Sequence, residues 1–490
     1  MSPRSSVAAL TLLALAGCTS ASAQDGADAS LAFERVGTFE LVATGALLGD
    51  AEAAGETGDE LDEFVPEPPM PVAVEAAQIV AEPEPLTIQP APEPIARRIA
   101  RQQLTIYAQP TTGAPIRGRV PMAAAFDVFG YVEGPGCEGE LGWANLGHHG
   151  FACMDNTRAG GDAQPRTLPK MRAGLTPYYY AKVKKGRTAP RYKSVKSMHA
   201  GDAPTATLKP GVDYAFTIRR VIKGEVVLID AQRRVVREKD VVRFRPSRFA
   251  GRDLESTPIP AGKQLAWVSN WPEASSFARA SSESELSAML GYHDELLVEP
   301  ADTDGWYKLE NGSFVSASDL RVFAAPTERP DGVGEGDIWI DVDLDPQVLT
   351  VMLGDAPIYA TLVSSGFKSP TPRGLFRIHN KLAVGSMSSS PGADDFYDVQ
   401  AVPHVQYFLG SFALHSAYWH DYFGRPLSHG CVNLSPKDAQ HVFSLTTPTL
   451  PGGWIHGYES SEHLGTTVHI HKGAEQVRDR RDDVEPVYGR

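Results

Sequence analysis

Ser428-His429-Gly430-Cys431-Val432-Asn433 brings a thiol, a glycine at its shoulder and an imidazole into six residues. A second imidazole, His415, lies upstream in Leu414-His415-Ser416-Ala417-Tyr418-Trp419. Such groups suit acyl transfer through a thioester. A free cysteine is only a few per cent thiolate at neutral pH, so a working one needs an imidazole to take its proton and backbone N–H groups to hold the oxyanion. His429 sits two residues before Cys431, where side chains of an extended segment share a face but rarely meet head-on. His415 can arrive from a neighbouring strand and face the thiol, which makes it the better base, with the turn around Gly430 as oxyanion hole.

These residues resemble the L,D-transpeptidases with the YkuD catalytic domain, whose signature is a histidine followed by Ser/Thr-His-Gly-Cys-hydrophobic-Arg/Asn. Asn433 places the chain with the Asn-bearing subgroup, and twelve residues separate His415 from Ser428, slightly fewer than the family usually has. Upstream, Ser364-Ser365-Gly366 and Pro370-Thr371-Pro372-Arg373-Gly374-Leu375-Phe376 resemble the family's strand, turn and Thr-Pro-x-Gly element. The resemblance spans 335–472. It implies that His415 takes and returns the proton, oriented by the main-chain carbonyl of Ser416, with no acidic third member. It also implies oxyanion N–H groups from His429, Gly430 and Cys431, with Asn433 and Ser428 shaping the substrate site.

The implied substrates are peptidoglycan stem peptides. Cys431 would attack the bond after the third, diamino residue of a tetrapeptide stem, D-Ala would leave, and an amine of another stem would resolve the thioester into a 3-to-3 cross-link. Water in place of the amine gives a carboxypeptidase or amidase, and a protein lysine gives anchoring to the wall. Carbapenem β-lactams are the implied inhibitors, and no cofactor is expected. A reading of another class is a non-catalytic wall-binding lipoprotein, against which intact Cys431 and His415 argue.

Zinc competes for any His/Cys cluster. His404, His415, His420, His429 and Cys431 are numerous, yet His-x-Cys is not a usual ligand spacing and no cysteine pair lies nearby, so no metal is expected. His456, His463, His469 and His471 are explained by surface or strand positions. Trp419 and Tyr407 either line the substrate groove or pack, and Met387 lies near the expected lid.

Arg4, an apolar run from Val7 to Ala16 and then Leu15-Ala16-Gly17-Cys18 read as a lipoprotein signal peptide over 1–18, too short to span a bilayer. Cys18 would carry lipid, and Thr19 after it is compatible with sorting to the outer membrane, hence a lipid-anchored periplasmic protein. An ordinary cleaved signal peptide is the alternative. Cys431 being the nucleophile, Cys137 and Cys153 remain to pair in an oxidising compartment or to stay as two buried thiols. A disulfide there would stabilise by about 3 kcal/mol in the chain-entropy model.

Net charge is -14 over 490 residues, and Thr19 to Ala96 holds 16 acidic residues against one basic residue, Arg35. The rest is close to neutral, which excludes a nucleic-acid partner. Residues 19–100 are rich in Ala, Glu and Pro, poor in aromatics, and read as a disordered tether spanning about 50 Å or more. Beyond it the sequence reads as mainly β. Short alternating segments predict an SH3-like β module over 101–156 and a β-rich region over 170–330 with a second such module around Gly305-Trp306-Tyr307. The 335–472 region is expected to be a YkuD-type, β-rich catalytic domain with short helices, one of them capped by Ser435 with Pro436 in its first turn. The charged stretch 473–490 reads as a disordered tail.

Overall fold

A computed structural model describes residues 93–166, 171–172, 175–367, 371–389 and 396–473. Cys18, the 1–18 signal peptide, residues 19–92 of the tether and the tail from 474 onward lie outside the described residues. Strands dominate, and among the described residues no helix is long and apolar enough to cross a membrane.

The expected tether runs eight residues too far at most. Ala96–Ala100 is a strand that pairs with Ala125–Val128 on one side and Thr157–Ala159 on the other. The compositional signal misses it because only Ile99 and Ala100 are buried, while Arg97 stays at the surface on Asp127, 2.8 Å away. The unit this strand opens closes around Leu104, Ile106, Val120, Phe126 and Met154. A disulfide joins Cys137 to Cys153, so neither is a buried thiol. Residues 179–243 form a second β assembly containing the short helix Val195–Ala200, and 264–322 form a third, a seven-stranded sheet.

Two sheets sandwich the core of the catalytic region. Ile340, Val342, Leu349, Val351, Val468 and Ile470 come from one sheet and Phe408, Leu414, Val432 and Leu434 from the other. Burying that many branched side chains on both sides accounts for most of the domain's stability, at about 1.5–3 kcal/mol for each. The first sheet has six strands, with Arg252–Asp253 at its edge followed by Ala356–Leu362, Val348–Leu353, Ile338–Asp343, Thr467–His471 and Gly374–Arg377.

The second sheet has thirteen strands and is built by three parts of the chain. Its centre is the long hairpin Asn380–Ser388 and Asp398–Leu409. On one flank Val212–Phe216 pairs in parallel with it, Val212 opposite Asp398. On the other flank the catalytic strand His456–Tyr458 pairs with Ile116–Val120 of the first unit. Gly118 permits that approach, because a Cβ there would meet His456 O and the Trp454 ring at 2.5 Å. Val212–Phe216 thereby covers the start of Asp398–Leu409, and Ile116–Val120 covers the outer edge of His456–Tyr458.

Helix Pro436–Leu445 completes the core. Ser435 Oγ accepts from Asp438 N–H at 3.2 Å and proline occupies its first turn. At the other end Lys381, buried, donates from Nζ to Phe443 O at 2.6 Å and Thr446 O at 2.8 Å, satisfying carbonyls that a helix end leaves open.

Candidate active site

Phe412–Ser416 and Val432–Leu434 run parallel, with Leu414 opposite Val432, His415 opposite Asn433 and Ser416 opposite Leu434. Leu414, Val432 and Leu434 face the core, so strand alternation turns His415 and Asn433 to the other face. The Val432–Leu434 strand is held on its far side by Ser364, whose N–H donates to Asn433 O at 2.9 Å and whose carbonyl accepts from Asn433 N at 3.0 Å. Cys431 stands at the entrance to that strand, half-buried.

The turn before it is braced from within. Ser428 Oγ donates to Cys431 O at 2.5 Å and accepts from Gly430 N–H at 3.0 Å. Thr371 Oγ1 donates to Gly430 O at 2.9 Å while accepting from Gly366 N–H at 2.9 Å. Gly430 has φ +122°, and a Cβ on it would lie 2.5 Å from the Phe412 ring, so only glycine fits. Two expectations change here. Gly430 N–H is already engaged by Ser428, which removes it from the oxyanion donors, and Ser428 spends its hydroxyl on the loop rather than on substrate.

His415 is buried, with Nδ1 3.2 Å from Ser416 O. A carbonyl only accepts, so Nδ1 carries the proton and Nε2 keeps the lone pair a general base needs. Burial holds the His415 imidazole down to about 4, against which the Ser416 carbonyl pulls upward. Burial likewise pushes the Cys431 thiol up to about 11, partly offset by a backbone hydrogen bond from Ala413. Both shifts favour the neutral thiol and the neutral imidazole over an ion pair. Among the described residues the thiol's hydrogen bond runs to Ser411 O at 3.7 Å rather than to His415. Proton transfer then belongs to the substrate complex, in which catalytic hydrogen bonds commonly tighten.

The other expected residues fall into place around this pair. The exposed His429 ring stacks on Tyr397 at 5.0 Å, turned to a partner other than the thiol. Trp419 lies 5.7 Å from the His415 ring, and Tyr407, Met387 and Cys431 are half-buried members of one apolar cluster. Asn433 is buried, and its amide meets His420 Nε2 at 3.0 Å. Since His420 Nδ1 accepts from Tyr422 N–H at 3.2 Å, its Nε2 carries the proton, and Asn433 must present its amide oxygen. Asn433 thus orients His420. His404 packs against Phe443.

Sequence reasoning did not find how the segment between His415 and Ser428 is held. Tyr180 of the second unit stacks on Tyr418 at 3.5 Å and donates to Ala401 O at 2.6 Å. From the third unit, Tyr292 Oη donates to Phe423 O at 2.9 Å, His293 Nε2 lies 3.1 Å from the same carbonyl, and Ser269 O accepts from Arg425 at 2.6 Å. The segment from Ala417 to Leu427 is short and clamped by two upstream units. Its aromatics were visible in the sequence, but their partners lie more than a hundred residues away.

A cysteine, a carbonyl-oriented imidazole and a braced Ser-His-Gly-Cys turn on a β sandwich make this the candidate active site. Residues 337–470 match the L,D-transpeptidase catalytic domain family, YkuD. Among solved structures, an L,D-transpeptidase of Enterococcus faecium is 21% identical with a TM-score of 0.23, covering 31% of this chain and 55% of its own. The chain thus spans about half the length of that protein. An L,D-transpeptidase from Mycobacterium smegmatis is 18% identical with a TM-score of 0.23, covering 50% of this chain and 90% of its own. An LD transpeptidase solved in complex with imipenem is 15% identical with a TM-score of 0.24, covering 50% and 91%. A search of curated proteins finds no match.

Proposed function

We propose that this protein is an L,D-transpeptidase that forms 3-to-3 cross-links between peptidoglycan stem peptides through a thioester on Cys431. The observation that carries this reading is the parallel register setting His415 beside the strand that Cys431 enters, with Nδ1 tied to Ser416 O. His415 Nε2 takes the thiol proton as Sγ attacks the carbonyl of the third, diamino residue. The tetrahedral oxyanion faces the N–H groups of the turn, of which Cys431's own is the best placed once Gly430 N–H is engaged by Ser428. D-Ala leaves with the proton from His415. The amine of a second stem then attacks the thioester, His415 takes its proton, and the thiol is restored.

The protein acts in the periplasm, anchored by lipid on Cys18 to the outer membrane, with the acidic segment as its tether. The Leu15-Ala16-Gly17-Cys18 pattern and the Cys137–Cys153 disulfide, which needs an oxidising compartment, support this placement. Carbapenems acylate Cys431 because their strained carbonyl stands in for that of the peptide.

Purified full chain incubated with tetrapeptide muropeptides, with products read by mass, tests the reading. Dimers joined between third residues with loss of D-Ala are expected. Tripeptides alone would make the protein a carboxypeptidase, and unchanged substrate would remove the enzymatic reading.

A further inference from the structure

The six-stranded sheet carries a second constellation on its outer face that acyl transfer does not use. Asp341 lies opposite His469 in the parallel register of Ile338–Asp343 and Thr467–His471, and His471 follows two residues on. All three side chains project from one face, because Ile340, Val342, Val468 and Ile470 alternate with them and fill the core. Asp341 Oδ1 is 2.8 Å from His469 Nδ1, and Oδ2 is 3.0 Å from His471 Nε2. The three ligand atoms lie within 4.8 Å of one another. The carboxylate is buried and the two imidazoles are half-buried, so the group is fixed from below and open to solvent above.

We propose that Asp341, His469 and His471 bind a divalent transition-metal ion of the zinc class, through two imidazole nitrogens and one carboxylate oxygen, with water completing the shell. Donors about 2.0–2.2 Å from a tetrahedral ion sit about 3.3–3.5 Å apart, so side-chain rotations of about 1 Å bring this set onto one. Two nitrogen donors and a single carboxylate select against calcium and magnesium, which take oxygen ligands.

The surroundings orient the ligands as metal sites require. His471 Nδ1 lies 2.7 Å from Gly473 O and Nε2 3.0 Å from Asp341 Oδ2, both of which only accept, so both nitrogens carry protons; an ion would replace the proton on Nε2 while Nδ1–H stays on Gly473 O. Gly473 itself is fixed by donating to Asp343 Oδ1 at 3.0 Å. The ion would pin the first strand of the catalytic region to its last. A carboxylate between two imidazoles is also stable as a simple ion pair, and metal uptake separates the two.

Full chain carrying Cys431→Ala, so that the thiol cannot serve as a ligand, is stripped with chelator and titrated with Zn2+ by calorimetry. One ion per chain is expected, with the melting temperature raised by several degrees and affinity at least tenfold weaker in His469→Gln and His471→Gln. Zn2+ should also protect His469 and His471 of the parent chain from carbethoxylation, which locates the ion without any variant at the site. No stoichiometric uptake by the folded parent would leave an ion pair only and overturn the proposal. Uptake without protection of these two histidines would overturn it as well.

Discussion

The two sheets that enclose the catalytic core differ in where their strands come from. The six-stranded sheet belongs almost wholly to the catalytic region, with only the two-residue strand Arg252–Asp253 added at an edge. The thirteen-stranded sheet takes strands from both the first and the second upstream units, and it carries Cys431 and His415. The candidate site therefore sits on the sheet that the catalytic region shares with two upstream units. The upstream units cover open strand edges and clamp the segment between base and nucleophile, so their role includes holding the site.

If this contrast holds, the largest effects come from the reacting groups on the shared sheet. Cys431→Ser should lower turnover by at least about 10^3-fold, and Cys431→Ala should abolish the carbapenem adduct seen by intact-protein mass, because Cys431 is the free cysteine among the described residues. His415→Gln should lower acylation by about 10^2 to 10^4-fold with the fold retained by circular dichroism. His429→Gln should stay within about tenfold of the parent, since that ring stacks on Tyr397. Activity retained in His415→Gln and lost only in His429→Gln would reverse the assignment of the base.

Effects transmitted across the sheet come next. Tyr180→Ala removes a fully stacked partner of Tyr418 and should cost about 3 kcal/mol in urea unfolding, with acylation slowed as well. An excised 335–472 fragment should acylate at least tenfold more slowly than the full chain and aggregate through the uncovered edge of His456–Tyr458 and the start of Asp398–Leu409. Equal rates for fragment and full chain would break the comparison. Gly430→Ala should cost about 1–3 kcal/mol and misplace the turn, because the added methyl meets Phe412 in a positive-φ backbone.

The smallest effect is the response to pH. His415 titrates at about 4 and must be neutral to accept a proton, so acylation is lost as pH falls through that value. The thiol stays protonated up to about 11. Carbapenem acylation should therefore be nearly flat from about pH 5 to 10. A rate that climbs steeply between pH 6 and 8 would instead report a thiol titrating in that range.

Local chemistry was legible in the sequence. Ser428-His429-Gly430-Cys431 and His415 marked the candidate site, and the family match at 337–470 falls on the region that resemblance had outlined. Ser435 and Pro436 announced their helix because capping is decided within four residues. What the sequence could not show depends on distant contact. The pairing of Val212 with Asp398 and of Arg119 with His456 joins strands more than 180 residues apart, and no local pattern encodes which edges meet. Lys381 is a similar case, since only the fold reveals that a lysine in a strand closes the end of a helix. His469 and His471 read as ordinary strand positions until Asp341, far upstream, is seen beside them.

Whether Cys431 carries the acyl group is decided by rapid quenching of the full chain with a tetrapeptide muropeptide and no acceptor, followed by peptide mapping. A mass gain equal to the substrate less D-Ala is expected on the peptide containing Cys431, and it should decay when an acceptor stem is added. A gain mapped to another residue, or one that persists unchanged in Cys431→Ala, would contradict it.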